Sequence, residues 1–157
     1  MLIKLGIKYG SPEAIDLCDM IGHTMADMAI KTSAVLAKEY GVYPKYKPEA
    51  VEQSAFYSKN ALGETKELVE SFGLRNSQLL TIAPTGSLST MLGVSGGIEP
   101  IFANYYTRKT ESLKGHDEYY KVYTPIVKEY IDKYRLKDDS ELPDYFVTAQ
   151  TLDYKNR

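Results

Sequence analysis

The sequence predicts an α/β fold rich in helix, and three stretches carry that expectation. Residues 11–40 form one long helical run with signals at both ends. Residues 78–94 read as a short apolar strand, a tight turn and a helix, and residues 104–112 alternate polar and aromatic side chains ahead of another helix. At 157 residues the chain has the size of one ordinary domain and can bury a core.

Composition narrows the function classes. Nineteen basic and 21 acidic residues leave a formal charge of -2, which gives no electrostatic case for nucleic-acid or membrane partners. No apolar run approaches a membrane span, and the start lacks the pattern of a signal peptide, so a cytoplasmic protein is expected. One cysteine, Cys18, excludes an internal disulfide framework and a cysteine-based metal site. Fourteen tyrosines are spread along the chain and read as half-buried packing residues, not as a radical relay.

Residues 1–10 are a short apolar and basic lead-in. Ser11 then caps a helix, with Pro12 at its first position and Glu13 and Asp16 placing negative charge in its first turns. Ile15, Ile21, Met25, Met28, Ile30, Val35 and Leu36 recur at three- and four-residue steps, while Asp19, Asp27, Lys31 and Lys38 mark wetter positions, and Gly41 closes the helix. Cys18 and His23 lie five residues apart on different faces, which argues against a catalytic pair. Residues 42–48 are a proline-bearing connection, and residues 49–60 read either as a helical turn or as a loop. Residues 64–72 form a short helix with Leu68 and Phe72 facing inward, ended by Gly73.

The strand, turn and helix of residues 78–94 is the candidate functional stretch. Thr85 and Ser87 can cap the helix through their hydroxyls, and Gly86 lets the backbone turn without a Cβ clash. A helix start carries unpartnered N–H groups and partial positive charge, so it suits a phosphate. Pro84-Thr85-Gly86-Ser87 also has the plain reading of a turn and a cap, and it is not a P-loop, since no Lys-Ser or Lys-Thr follows. Arg75 and Asn76 stand at the entrance of the strand; the arginine either steadies a phosphate or pairs with a carboxylate. Ser95-Gly96-Gly97 provides a loop able to approach a ligand closely, and Glu99, the one charged side chain between Arg75 and Arg108, is a candidate for orienting a ribose or a neighbouring side chain.

Beyond the turn, residues 104–112 suit a strand with one wet face, and residues 114–120 read as a charged surface excursion in which His116 is solvated. Thr124 and Pro125 open a helix with Ile126, Val127, Tyr130, Ile131 and Tyr134 at helical spacing. Residues 137–141 form a solvated turn, and residues 145–148 a short β-prone run.

Three blocks at unbroken spacing, Gly73-Leu74-Arg75-Asn76-Ser77, Ala83-Pro84-Thr85-Gly86-Ser87 and Gly93-Val94-Ser95-Gly96-Gly97-Ile98-Glu99-Pro100, resemble the large catalytic subunit of ribonucleotide reductases, most closely the adenosylcobalamin-dependent class. Gly10-Ser11-Pro12-Glu13-Ala14, residues 106–113 and residues 145–150 look like the same family, so the resemblance covers nearly the whole chain.

The resemblance implies the helix-rich part of a ten-stranded α/β barrel, here incomplete, with residues 1–157 as a single partial domain. It implies that Met1 is an internal methionine or an imposed start, and that more polypeptide follows Arg157. Family members reduce the ribose of a ribonucleotide through a thiyl radical, a pair of reducing cysteines and a nearby glutamate and asparagine. In the cobalamin class adenosylcobalamin supplies the radical. None of those cysteines is present, and Cys18 is followed by Asp19 and Met20, so no catalytic residue and no metal ligand is assigned. What the resemblance carries over is the substrate-phosphate turn: Pro84, Thr85, Gly86, Ser87 and the N–H of Leu88, with Arg75, Asn76, Gly97 and Glu99 as supporting candidates.

The expected function is thus a fragment of a reductase catalytic subunit that binds substrate phosphates, is inactive alone and holds no cofactor itself. Its partners are the ribonucleotide, the remainder of the subunit and, through exposed strand edges, other copies of itself. The alternative is a noncatalytic nucleotide-phosphate-binding or partner-binding module, including one piece of a split reductase. A third reading is an α/β domain with no retained ligand, in which replacing Gly86 or Ser87 alters stability without a binding signal.

Overall fold

The computed structural model describes residues 1–111 and 116–156. In chain order the elements are α1 (Leu2–Leu5), α2 (Pro12–Tyr40), α3 (Pro48–Glu52), α4 (Ala55–Asn60), α5 (Gly63–Phe72), α6 (Gly86–Leu92), β1 (Tyr105–Glu111), β2 (Asp117–Tyr123) and α7 (Pro125–Tyr134), with 3-10 turns at Asp139–Glu141 and Tyr154–Asn156. The mixture of helix and strand agrees with the expected class. The sheet among the described residues is a two-stranded antiparallel ribbon and does not close. The chain forms two compact units, Ile15–Thr81, and Met1–Ala14 together with the chain from Ile82 onward.

The ends of α2 form as their residues dictate. The Ser11 hydroxyl accepts the Ala14 N–H at 3.2 Å, and Gly41, at φ 76°, donates its N–H to the Ala37 carbonyl at 2.8 Å. The inward face differs from the one the large apolar residues suggest. Ala26, Ile30, Ser33, Ala34 and Ala37 are buried, while Met25, Met28 and Val35 are exposed. Small side chains on that face let neighbouring segments approach the helix axis closely.

In the unit Ile15–Thr81 the core is Ile30 and Ala34 of α2, Tyr57 of α4, Ala61, Val69 of α5 and Leu74. Residues 49–60 resolve into α3 and α4, the second capped by the Ser54 hydroxyl, which accepts the Tyr57 N–H. Leu68 and Phe72 are only half-buried, and Thr65 and Val69 take the inward face of α5. Asp27, expected in water, is buried. Its Oδ1 accepts the Leu62 N–H at 2.9 Å, supplying a carboxylate at the start of α5, where Leu62 has no capping oxygen. Gly73 turns the chain at φ 71°, ψ −156°, a conformation nearly confined to glycine. A Cβ there would lie 2.5 Å from Val42 Cγ1 and 2.8 Å from Tyr46 Cε1, so the position admits no side chain.

In the other unit β1 pairs with β2 from Tyr105 opposite Tyr123 to Glu111 opposite Asp117. The charged excursion expected over residues 114–120 is therefore strand from Asp117; Lys114 and Gly115 lie outside the described residues. Tyr119 and Tyr120 supply the β propensity that outweighs the charges beside them. Both faces of β1 are largely exposed rather than one, because the ribbon carries no covering layer. Tyr130 packs edge to face on both Tyr145 and Phe146, and the Tyr130 and Tyr145 hydroxyls meet at 2.8 Å. The β-prone run at residues 145–148 forms only a single parallel bridge, Thr148 with Ile101. No helix among the described residues is long and apolar enough to cross a membrane.

Candidate functional site

The candidate stretch begins with a correction. Residues 78–83 are irregular, with no ladder partner, because a strand needs a neighbour for its N–H and C=O groups and the described residues offer none. Leu80 and Ile82 stand exposed along it.

The turn itself also differs from the simple cap. Thr85, not Gly86, adopts the left-handed conformation, at φ 47°, ψ 30°. A β-branched residue rarely holds that geometry. Gly86 has a negative φ, and a Cβ built on it would meet nothing within 4 Å. Neither hydroxyl caps the helix: Thr85 Oγ1 accepts the Gly97 N–H at 3.2 Å, and Ser87 is exposed, its hydroxyl without a partner among the described residues. The left-handed backbone turns the Thr85 side chain away from the first-turn amides, so the cap expected from sequence cannot form.

α6 has seven residues, about two turns. Its first ladder bond runs from Ser89 N to Thr85 O at 2.8 Å, so the amides of Gly86, Ser87 and Leu88 precede the ladder and have no acceptor within it. No acidic residue occupies the first turn. Ser89, which is buried, and Thr90 both donate their hydroxyls to the Gly86 carbonyl, at 2.9 and 3.0 Å. Gly93, at φ 66°, ends the helix.

The glycine loop lies back on this turn. A Cβ at Gly96 would stand 3.0 Å from the Pro84 carbonyl oxygen and 3.2 Å from Ser89 Oγ. The close approach expected of the loop is thus made to the turn. The Tyr9 hydroxyl reaches the Ile98 carbonyl at 2.9 Å and holds the far side of the loop. Ser89 and Tyr9 had no place in the sequence reading. Ser89 alone left a signal there, a serine among apolar residues one turn into the helix.

An open groove of about 970 Å³ runs beside the turn, with Pro84, Gly86, Ser89, Gly97 and Glu99 among its lining. Glu99 is exposed and has no ion-pair partner among the described residues. Arg75 and Asn76 belong to the other compact unit. The Arg75 guanidinium donates to the Tyr40 and Gly41 carbonyls at 3.3 and 3.4 Å, closing the end of α2 and not pairing with a carboxylate. Asn76 exchanges two hydrogen bonds with the Ser33 hydroxyl, at 3.0 and 3.1 Å.

This arrangement offers an anion several donors and one nearby carboxylate, and no nucleophile. Among the described residues no group of three His, Cys, Asp or Glu side chains could hold a metal ion. Cys18 is exposed on α2, and His23 sits 3.5 Å from Asp19 on the same helix.

Comparison with known proteins settles the family. The family description "Ribonucleotide reductase, barrel domain" matches residues 1–156. The chain belongs to the ribonucleotide reductase barrel-domain family. It is 29% identical to the ribonucleoside-diphosphate reductase subunit alpha of Chlamydia pneumoniae over 133 residues, which cover 71% of this chain and 13% of that protein. It is 37% identical to the vitamin B12-dependent ribonucleoside-diphosphate reductase of Thermoplasma acidophilum over 108 residues, 69% of this chain and 12% of that protein. With the alpha subunit of Helicobacter pylori the identity is 32%, over 73% of this chain and 17% of the relative. The chain thus spans a small fraction of the reductases it matches, and its relatives include both B12-dependent enzymes and reductases named only as alpha subunits.

Proposed function

We propose that this chain is a segment of a ribonucleotide reductase catalytic subunit and supplies the part of the barrel that holds the substrate's phosphates. The observation that supports this reading is the turn: the amides of Gly86, Ser87 and Leu88 have no acceptor in the helix ladder, the Ser87 hydroxyl has no partner among the described residues, and no acidic residue occupies the first turn. Pro84 and Thr85 set the backbone that aims those donors. Gly97 and Glu99 line the groove beside the turn, which supports a role for them toward the sugar. Arg75 and Asn76 anchor their own segment on α2.

By itself the chain does not turn over. Ribose reduction in this family needs a thiyl radical and a dithiol, and the one sulfhydryl here, Cys18, lies exposed on α2. Adenosylcobalamin would supply the radical in the complete enzyme of the B12-dependent class. On this reading its binding is assigned to the remainder of the subunit.

The test is nucleotide binding and reduction measured together. The isolated chain, titrated with a ribonucleoside diphosphate and followed by amide NMR, shifts at Gly86–Leu88 and forms no deoxyribonucleotide. Turnover by the chain alone, or a titration that leaves those amides unmoved, would sink the reading. The split-enzyme alternative gains if reduction arises on mixing with a reductase polypeptide that carries the missing cysteines, and the ligand-free alternative gains if Ser87→Ala alters stability and no binding exists to lose.

A further inference from the structure

We infer that the outward face of α2 is a pairing surface for a second copy of this chain, with the two helices antiparallel.

A helix on the surface of a folded unit buries one apolar stripe and leaves the opposite side polar. α2 carries two apolar stripes. Ala26, Ile30, Ala34 and Ala37 face the core, and on the opposite side Cys18, Ile21, Met25, Met28, Thr32 and Val35 follow one another at steps of three, four, three, four and three residues. Ile21 is half-buried and the other five are exposed, Met25 at 54% and Met28 at 52%. Strict alternation of three and four, kept over about two and a half heptads, is the pattern of a seam between two helices. The inward side lacks it, since Ser33 and Ala34 are buried as neighbours there.

What the seam can pair with follows from its register. About a two-fold axis between Met25 and Met28, an antiparallel copy sets Met25 on Met28, Ile21 on Thr32 and Cys18 on Val35 of the second copy, and symmetry repeats each pair. The edges agree with that register. On one edge Ile15 meets Leu36 and Gly22 meets Ala29 of the second copy, small or apolar throughout, so the helices can close up. On the other, Lys38 meets Leu17 of the second copy, one turn from Glu13. Neither Glu13 nor Lys38 has an ion-pair partner among the described residues, and the antiparallel copy brings the two together at both ends of the seam. Glu39, the next position of the seam, falls beside Ala14 in the first turn of the second copy, where the helix start carries partial positive charge. A parallel copy would stack Glu39 on Glu39 and align the two helix dipoles. The seam is about 26 Å long at about 1.5 Å per residue. With its edges, a pair buries on the order of 1,000 Å² in all, the size at which specific pairs begin to hold.

The test uses the full 157-residue chain, whose single cysteine reports the register. Val35→Cys, oxidised by dissolved oxygen with a copper–phenanthroline catalyst, gives a disulfide-linked dimer through Cys18 of each copy and the introduced thiol of the other. The parent gives none, because its two Cys18 side chains sit about 25 Å apart. Association through residues 82–102 produces no such link. In sedimentation, Met25→Glu weakens pairing about a hundredfold or more, because symmetry removes two apolar contacts and sets two charges in the seam. Met28→Lys does the same. An equal mixture of the two variants pairs again, since each glutamate then faces a lysine. Both positions are exposed, so the isolated variants keep the helical signal of the parent.

A parent that stays monomeric at its highest soluble concentration overturns the proposal, as does a Val35→Cys form that yields no linked dimer. A linked dimer from the oxidised parent makes the copies parallel and overturns the register argued above. Protection of Met25 and Met28 from oxidation only when the remainder of a reductase subunit is added gives the face to that polypeptide and overturns the second copy.

Discussion

Two regions of this chain treat their apolar and polar groups in opposite ways. In Ile15–Thr81, buried polar side chains of α2 find partners, Ser33 on Asn76 and Asp27 on Leu62, and Ile30 is 1% exposed at the centre of a core. Over residues 82–102 the large apolar side chains stand in water: Ile82 and Phe102 are each 75% exposed and Met91 is 74% exposed. The first region encloses a core of its own, although Met25 and Met28 remain outside on α2. The second displays a run of apolar surface longer than a lone folded piece ordinarily leaves uncovered. A substitution should therefore unfold the first region and leave the second folded but altered in association.

The largest expected effect falls at Gly73. Alanine there must adopt φ 71°, ψ −156° and overlap Val42 and Tyr46. The conformation and the overlap together cost about 3 kcal/mol or more. Urea unfolding of Gly73→Ala against the parent measures it, and a loss below about 1 kcal/mol would show that the turn relaxes freely.

Asp27→Ala comes next. It removes the buried carboxylate that accepts the Leu62 N–H and leaves the start of α5 without an acceptor. The expected loss is about 1–2 kcal/mol. Asp27→Asn, which retains Oδ1, recovers part of it. Equal losses for the two would assign the effect to packing and not to the hydrogen bond.

Reading the sequence recovered what local chemistry determines. Ser11, Pro12 and Gly41 bound α2 because caps and glycine turns act over a few residues. Pro125 opens α7 for the same reason. The misreadings concern partners distant in sequence. Residues 78–83 have the composition of a strand but no neighbour here to pair with. Asp27 is buried because Leu62, 35 residues on, needs an acceptor. At the candidate site Pro84, Gly86, Gly97 and Glu99 line one groove. The exchange of roles between Thr85 and Gly86 was hidden, because φ at a Thr-Gly pair depends on the loop that returns twelve residues later.

A double variant, Ile82→Ser with Phe102→Ser, probes the other half of the comparison. Both side chains are already in water, so the stability of the isolated chain should change by no more than about 0.5 kcal/mol. Sedimentation at rising concentration should show self-association weaker than in the parent, if the apolar run is what drives it. Stability that falls with association unchanged would mean that these side chains are structural and that the contrast between the regions is smaller than their exposure suggests.

The smallest effect is confined to alkaline pH and concerns Tyr130. Its phenol is pushed up to about 12, first by the hydrogen bond with Tyr145, then by burial and by the neighbouring tyrosines. The unfolded phenol titrates near its ordinary value of 10.0. A raised folded value means that the protonated phenol is the favoured form. The contribution is present in full below pH about 10 and is lost as pH climbs toward about 12. Replacing Tyr145 with Phe removes the leading cause, so the latest phase of the tyrosinate absorbance should move to lower pH, with stability near neutrality almost unchanged. Tyr46 and Tyr57 are also raised, mainly by burial, and belong to the other compact unit, so they should titrate alike in parent and variant. If the late phase stays in place after Tyr145→Phe, it belongs to those buried tyrosines, and the hydroxyl pair contributes nothing to the alkaline limit of the fold.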